Sequence, residues 1–159
     1  MATNLAHYYR VIEEAISKIG LDPAEFRTKT TGRWVLKKGS VEVVIDAFSD
    51  EKQEQSFFQV LSPIMELPIT NTRQFFQDLL TMNHGMIGTS FSLYKEVVWL
   101  KSARIIDGMD NVEALTIIST VGTIADNYDD VLKEKYGRSR PVGFQIPQRT
   151  VIKETKGEE

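Results

Sequence analysis

Hydrophobic residues near the start of the chain recur at intervals of three and four, the spacing that places side chains on one face of an α-helix. The residues that share this face are Leu5, Tyr8, Ile12, Ile16 and Ile19. They predict a helix from about Thr3 to Ile19. Thr3 or Asn4 can cap its first turn, and Gly20 ends it.

The hydrophobic period then changes to two, which indicates β-strands. Residues 33–48 (RWVLKKGSVEVVIDAF) predict two strands joined by a tight turn at residues 38–40. A third strand is predicted in residues 55–67 (QSFFQVLSPIMEL). Because proline lacks a backbone donor, Pro63 and Pro68 are expected to end its pairing or to place it at a sheet edge.

A second helix is predicted from Asn71 to His84, and Asn71 followed by Gln74 resembles a capping box. The expected buried side of this helix consists of Phe75, Phe76, Leu79 and Leu80. Two further strands follow, in residues 89–94 (TSFSLY) and 97–105 (VVWLKSARI). The Lys-Glu dipeptide between them predicts a two-residue turn.

The last predicted element is a long helix. Asp110 and Glu113 have the spacing of a capping box, and the chain stays compatible with a helix to about Tyr136. The order α-β-β-β-α-β-β-α with short hairpins predicts an α+β fold, in which an antiparallel sheet of about five strands packs with three helices. We expect one domain over residues 1–137.

Residues 138–159 differ from the rest in composition. They carry five basic and three acidic residues, several prolines and glycines, and few apolar side chains. This composition predicts a flexible C-terminal tail. Within it, PVGFQI (residues 141–146) is able to dock as an extended segment.

The overall composition is that of an ordinary globular protein. Of the 159 residues, 42% are hydrophobic and 26% are charged. The net charge of −3 argues against nucleic-acid binding, which favours a basic surface. No apolar run reaches the roughly 18 residues of a membrane-spanning helix, so membrane insertion is not expected. The absence of cysteine fits a reducing compartment, and the cytoplasm is the predicted location.

Three carboxylates in the last helix have the spacing of a possible Mg²⁺ site. Asp126, Asp129 and Asp130 stand at i, i+3 and i+4. The apolar residues of that helix define a wide buried side, which leaves the carboxylates facing solvent, and Lys133 has the spacing of a surface ion pair. The second acidic cluster that such a site needs is missing, as are glycine-rich phosphate-binding motifs. The sequence therefore predicts a solvated helix face and no cofactor.

Hydrophobic residues occur on both sides of the predicted strands, whereas a sheet with one wet face alternates cleanly. In the second strand Val43, Ile45 and Ala47 point to one side of the sheet. Val44 and Phe48 point to the other side. Three helices can cover one face, but covering both faces from one chain of this length is harder. We therefore expect a second copy or a bound peptide on the second face, with a monomer covered on both faces as the alternative.

Three stretches resemble a known family: RWVLKKGSVEVVIDAF (33–48), FSLYKEVVWLKSARIIDGMD (91–110) and IADNYDDVLKEKYG (124–137). Together with the first helix and the element order, they resemble the type III secretion chaperone-like fold and, within it, the YbjN family of small bacterial proteins. The resemblance spans about residues 4–137. It implies a domain that commonly dimerises. For the secretion chaperones it implies binding of an extended client segment along exposed apolar patches, and for the YbjN relatives a regulatory role.

The leading hypothesis is a non-catalytic protein-binding domain, chaperone-like or regulatory, that forms a homodimer and recognises a client or regulatory protein through apolar sheet and helix surfaces. The large side chains expected to make these contacts are Trp34, Leu36, Phe48, Phe58 and Trp99. The alternative is a small-ligand-binding protein or a metal-dependent enzyme that uses the Asp126, Asp129 and Asp130 cluster or His84.

Overall fold

The structure of the protein is a computed structural model, and it describes residues 3–137 and 146–147. Its elements are α1 (Leu5–Lys18), α2 (Pro23–Phe26), β1 (Arg33–Lys38), β2 (Val41–Asp50), β3 (Gln55–Glu66), α3 (Thr72–Gly85), β4 (Ser90–Tyr94), β5 (Val97–Ile105) and α4 (Asn111–Tyr136). The five strands form one antiparallel sheet in the order β1-β2-β3-β5-β4. The predicted α+β fold and its element order are confirmed, with the short helix α2 added.

The ends of two helices follow from local sequence. The Asn4 side chain accepts a hydrogen bond from the backbone of His7 at 3.3 Å and caps α1. Asp110 and Glu113 form the predicted capping box of α4, in which each side chain accepts a hydrogen bond from the backbone of the other residue, at 2.8 and 3.1 Å. Among the described residues, no helix is long and apolar enough to cross a bilayer.

Both predicted hairpin turns are confirmed. Only Gly39 and Ser40 separate β1 from β2, and only Lys95 and Glu96 separate β4 from β5. Lys95 and Glu96 both adopt positive φ, at 47° and 63°. Two consecutive left-handed residues are typical of turns that match the right-handed twist of the flanking strands.

Pro63 lies in a central strand, so the expectation that it ends pairing or marks an edge is wrong. β3 lies between β2 and β5, and Pro63 is aligned with Trp99 of β5. The register shifts between Pro63 and Met65. Such an irregularity accommodates a residue that has no backbone N–H to donate to the ladder.

The predicted N-terminal cap and the predicted buried side of α3 are wrong in part. Asn71 adopts a left-handed conformation and its side chain makes no capping hydrogen bond. Phe75 and Leu79 are buried as expected, but Phe76 is 38% exposed and Leu80 is 68% exposed. The buried stripe of α3 is therefore narrower than its sequence indicates.

The helices pack on one face of the sheet, which we call the inner face. α1 and α4 contact each other, and α4 also contacts β2, β3 and β5. The main core between them includes Ile12, Ile16, Ile45, Phe58, Leu100 and Ala125. The opposite face of the sheet, which we call the outer face, carries a second cluster of buried apolar residues. The predicted two-sided distribution of hydrophobic residues is therefore confirmed.

A hydrogen-bonded contact joins α3 to the C-terminal end of α4. The Asp78 carboxylate accepts hydrogen bonds from the Lys135 ammonium group at 2.7 Å, from the Tyr136 hydroxyl and from Gln74 at 2.8 Å. The bonds from Lys135 and Tyr136 lower the pKa of Asp78 to about 2. Burial and the bond to Asp78 raise the pKa of Tyr136 to about 12. The Tyr136 ring also meets the Phe75 ring edge to face, with centroids 4.8 Å apart.

These two shifts predict a stability window. The contribution of Asp78 is complete above its ordinary pKa of 3.8 and is lost as the pH falls towards about 2. The contribution of Tyr136 is complete below its ordinary pKa of 10.0 and is lost as the pH rises towards about 12. Tyr136→Phe should lower the free energy of unfolding at neutral pH by about 1–2 kcal/mol, because Asp78 loses a donor. It should also make the free energy of unfolding depend less on pH in the alkaline range.

Urea unfolding across the pH range measures this effect. Tyr94→Phe is the control, since Tyr94 lies in β4 and not in α4, and the hydrogen bond to Asp78 comes from the Tyr136 hydroxyl. An alkaline loss of stability that persists unchanged in Tyr136→Phe would contradict the assignment.

Candidate functional site

The outer face carries an apolar cluster at its centre. Val44, Leu61, Val97 and Trp99 come from β2, β3 and β5 and are at most 9% exposed. Alternation along each strand explains their position, since their neighbours in sequence fill the main core on the inner face. We call these four residues the outer cluster. Its side chains are apolar and buried although the helices pack on the opposite face.

Side chains from the two edge strands frame the outer cluster. Val35 of β1 pairs in register with Val44, and Tyr94 of β4 pairs with Val97. Both are half-buried and pack against the cluster. Since β1 and β4 are the edge strands of the described sheet, the apolar surface extends across its full width.

A residue from the C-terminal part of the chain also packs on the outer cluster. Ile146 is half-buried against it. The next residue, Pro147, lines a cavity of about 150 Å³ on the same face. The other residues that line this cavity are Gln59, Leu61, Ser92, Leu93, Tyr94 and Lys101. The predicted flexible tail, residues 138–159, otherwise lies outside the described residues.

A row of polar side chains crosses three strands beside the cluster. Arg33 of β1, Asp46 of β2 and Gln59 of β3 are direct neighbours in register. Arg33 donates two hydrogen bonds to the fully buried Asp46 carboxylate, at 2.6 and 3.0 Å, and Gln59 donates a third at 3.0 Å. The buried charge is stabilised because several donors surround it. We call these residues the polar row.

An aromatic pair lies beyond the polar row. Phe48 and Phe57 are paired in register, and their ring centroids are 5.8 Å apart. Phe48 is buried and Phe57 is half-buried. Ile105 of β5, which pairs in register with Phe57, is 49% exposed. The outer face is thus divided into two apolar areas by charged and amide groups.

The structure places the five predicted contact residues on two different faces. Trp34, Leu36 and Phe58 are buried in the main core on the inner face. Trp99 belongs to the outer cluster, and Phe48 to the aromatic pair on the same face. All five are buried within the chain. Their contact with a partner stays a prediction, and Phe48 and Trp99 are the two that lie on the outer face.

Trp34 has a clear role inside the fold. Its indole N–H donates a hydrogen bond to the Glu13 carboxylate of α1 at 3.1 Å. Arg27, which precedes β1, also binds Glu13, and its hydrogen bond is the main cause that lowers the pKa of that carboxyl. Trp34 therefore connects the first strand to the first helix.

The prediction for the carboxylates of α4 is wrong at one position. Asp126 and Asp130 are exposed as expected, but Asp129 is only 2% exposed and lies 2.7 Å from the Lys133 ammonium group. Asp129 follows the buried Ala125 by four residues and precedes the buried Leu132 by three, so it continues the buried stripe. The structure therefore does not bring the three carboxylates together on one solvated face.

In the part of the chain that the structure describes, no other group of acidic and histidine side chains replaces that cluster. Within residues 3–137 and 146–147, no set of three or more His, Cys, Asp or Glu side chains is placed to hold a metal ion. His84 is exposed in the last turn of α3.

Sequence reasoning missed Val35 and Tyr94 as residues of the outer face. Strand alternation could have found Val35, because it stands between Trp34 and Leu36 and points to the opposite side. Tyr94 is the last residue of β4, and this short strand gives only a weak alternation of apolar and polar residues.

Comparison with known proteins gives structural neighbours only. No family model matches the chain, and no curated protein does either. The ExsC–ExsE complex contains a chain that superposes with a TM-score of 0.59 at 14% identity, covering 80% of this chain and 94% of that chain. The Yersinia pestis type III secretion chaperone SycH, in complex with a fragment of YscM2, has a TM-score of 0.55 at 18% identity and covers 76% and 98%.

A third neighbour comes from the heterodimeric ExoU–SpcU complex of the Pseudomonas aeruginosa type III secretion system. Its TM-score is 0.55 at 13% identity, covering 76% of this chain and 96% of that chain. At these identities the likeness establishes the fold. The resemblance to the type III secretion chaperone-like fold is thereby confirmed at the level of architecture.

The polar row makes a testable contribution to stability. Asp46→Asn should lower the free energy of unfolding by about 2–4 kcal/mol, because Arg33 loses its charged partner in a mostly buried position. Asp126→Asn is the matched control on an exposed helix face and should change it by less than about 0.5 kcal/mol. Urea unfolding measures both. Equal losses for the two variants would show that the row does not stabilise the sheet.

Proposed function

We propose that this protein is a non-catalytic, chaperone-like binding domain that recognises an extended segment of a partner polypeptide on its outer face. The observation that carries the proposal is the outer cluster, Val44, Leu61, Val97 and Trp99, an apolar surface on the side of the sheet opposite the helices. These four side chains are at most 9% exposed in the chain, so a partner gains free energy from them when its own apolar side chains replace those that cover them.

The geometry of the sheet favours an extended segment as the partner. In an extended chain alternate side chains point to the same side, so one side of such a segment can be apolar along its whole length. The cluster and its neighbours Val35 and Tyr94 form a continuous apolar path across the sheet. The edge strands β1 and β4 offer backbone groups where such a segment can add as a further strand.

The structural neighbours support this proposal. One of them is named a type III secretion chaperone, and all three come from complexes with another protein. A partner-binding role on the same architecture is therefore consistent with the apolar outer face. The YbjN resemblance of the sequence adds the proposal that the bound partner is a regulatory protein.

We also propose that the chain forms a homodimer through α3. Phe76 and Leu80 are one helical turn apart and exposed, and Ile69, just before the helix, is 81% exposed. This exposed stripe lies beside β4, the edge strand that α3 contacts. A two-fold axis would place the same stripe of a second copy against it, which buries both stripes at once.

Binding to the outer face is tested with a permanently unfolded polypeptide. Reduced and carboxymethylated α-lactalbumin, labelled with a fluorophore, should bind the protein in an anisotropy titration. Val35→Asp should weaken binding by about tenfold or more, since it places a charge beside the outer cluster. The matched control is Val131→Asp on α4, where the valine is 52% exposed, and it should bind like the unaltered protein.

Circular dichroism should show that both variants keep their helical content. Equal affinity of Val35→Asp and the unaltered protein would contradict the proposed surface. Absence of binding by the unaltered protein and by every variant would contradict the proposed function.

The dimer is tested by light scattering coupled to size-exclusion chromatography. Leu80→Asp should shift the protein from dimer to monomer at about micromolar concentration, because the carboxylate would be buried without a partner in the interface. Val112→Asp, at an exposed position in the first turn of α4, is the control and should leave the dimer intact. A monomeric unaltered protein at that concentration would rule out the proposed dimer.

A further inference from the structure

The outer cluster is covered in part by the chain itself. Ile146 packs on Val44, Leu61, Val97 and Trp99 as a group, and Pro147 lines the adjoining cavity of about 150 Å³. We infer that Ile146 and Pro147 are an internal, displaceable occupant of the outer face, which a partner polypeptide has to replace. The inference rests on the proposed function, because it assigns the occupant to the same surface.

The connection from α4 is long enough for this contact within one chain. α4 ends at Tyr136, and nine residues, 137–145, separate it from Ile146. Nine residues span at most about 30 Å when extended. A helix layer and a sheet lie about 10 Å apart, and five strands are about 20 Å wide. The tether can therefore pass an edge of the sheet and reach the opposite face.

The burial of Ile146 and Pro147 is typical of a reversible contact with the outer face. Ile146 and Pro147 are half-buried, whereas Val44 and Trp99 beneath them are fully buried. The cavity beside Pro147 shows that the segment does not fill the surface completely. A tethered segment competes at an effective concentration of about millimolar, so even weak packing lowers the apparent affinity of an external segment.

The chemistry of the segment indicates which partner fits the surface. Ile146 supplies an aliphatic side chain, and Pro147 keeps the backbone extended without a donor. The chain carries a net charge of −3, of which residues 138–159 contribute +2, leaving −5 for residues 1–137. Opposite charges of tail and domain favour their association. The partner is therefore expected to be an extended segment with an aliphatic anchor next to proline and flanked by basic residues.

A labelled peptide with the sequence of residues 141–147, PVGFQIP, tests the occupant directly. In the full chain, Ile146→Asp should bind this peptide at least about tenfold more tightly than the unaltered protein, because the internal competitor is weakened. Ile87→Asp is the matched control, since Ile87 is 96% exposed, and it should bind like the unaltered protein. A peptide in which the isoleucine is replaced by aspartate should bind neither protein.

A second measurement tests, without any peptide, whether Ile146 covers the outer cluster. Trp99 lies in the outer cluster, so acrylamide should quench tryptophan emission more strongly in Ile146→Asp than in Ile87→Asp. Ile146→Ala, a milder change, should give an intermediate increase if Ile146→Asp disturbs folding. Equal peptide affinity and equal quenching in Ile146→Asp and the unaltered protein would overturn the inference.

Two further outcomes separate this inference from the proposed function. If the peptide binds Ile146→Asp but carboxymethylated α-lactalbumin does not, the inference that Ile146 occupies the outer face is supported and the proposed function is contradicted. If that unfolded polypeptide binds the unaltered protein and Ile146→Asp equally, the proposed function stands and the inference is overturned. Peptide binding that increases when the unaltered protein is diluted would assign the occupant to a second copy and also overturn it.

Discussion

The structure depends on a sheet that is apolar on both faces while its helices pack on only one. Val43 and Ile45 fill the core under α1 and α4, and Val44 between them belongs to the outer cluster. Each strand therefore stabilises two separate apolar layers. The inner layer is completed by helices of the same chain. The outer layer is covered by half-buried side chains, Ile146 among them, and this cover without a helix makes the outer face the candidate binding surface.

The polar row limits where that surface extends. A fully buried carboxylate requires donors in fixed positions, and Arg33 and Gln59 supply them from the two neighbouring strands. The row therefore holds β1, β2 and β3 in register next to the outer cluster. It also separates the cluster from Phe48 and Phe57. A partner that spans both apolar areas has to pass over this row, which favours one alignment of an extended segment over others.

Most of the fold could be predicted from sequence because its signals are local. The turn at Lys95 and Glu96 and the capping box of Asp110 and Glu113 depend on residues a few positions apart. The exposed residues of α3 could not be predicted in this way. Phe76 and Phe75 are equally apolar, but Phe75 is buried in the main core, where its ring meets Tyr136 of α4, whereas Phe76 is exposed.

The sequence by itself determined the element order, the antiparallel hairpins and the presence of apolar residues on both strand faces. These properties follow from periodicity and from turn and cap chemistry, which act over short distances. Only the tertiary structure decided that Asp129 is buried, that Pro63 lies in a central strand and that Ile146 reaches the outer cluster. Each of these depends on which element packs beside another. That choice is made by the summed packing of residues far apart in the chain, which no local pattern contains.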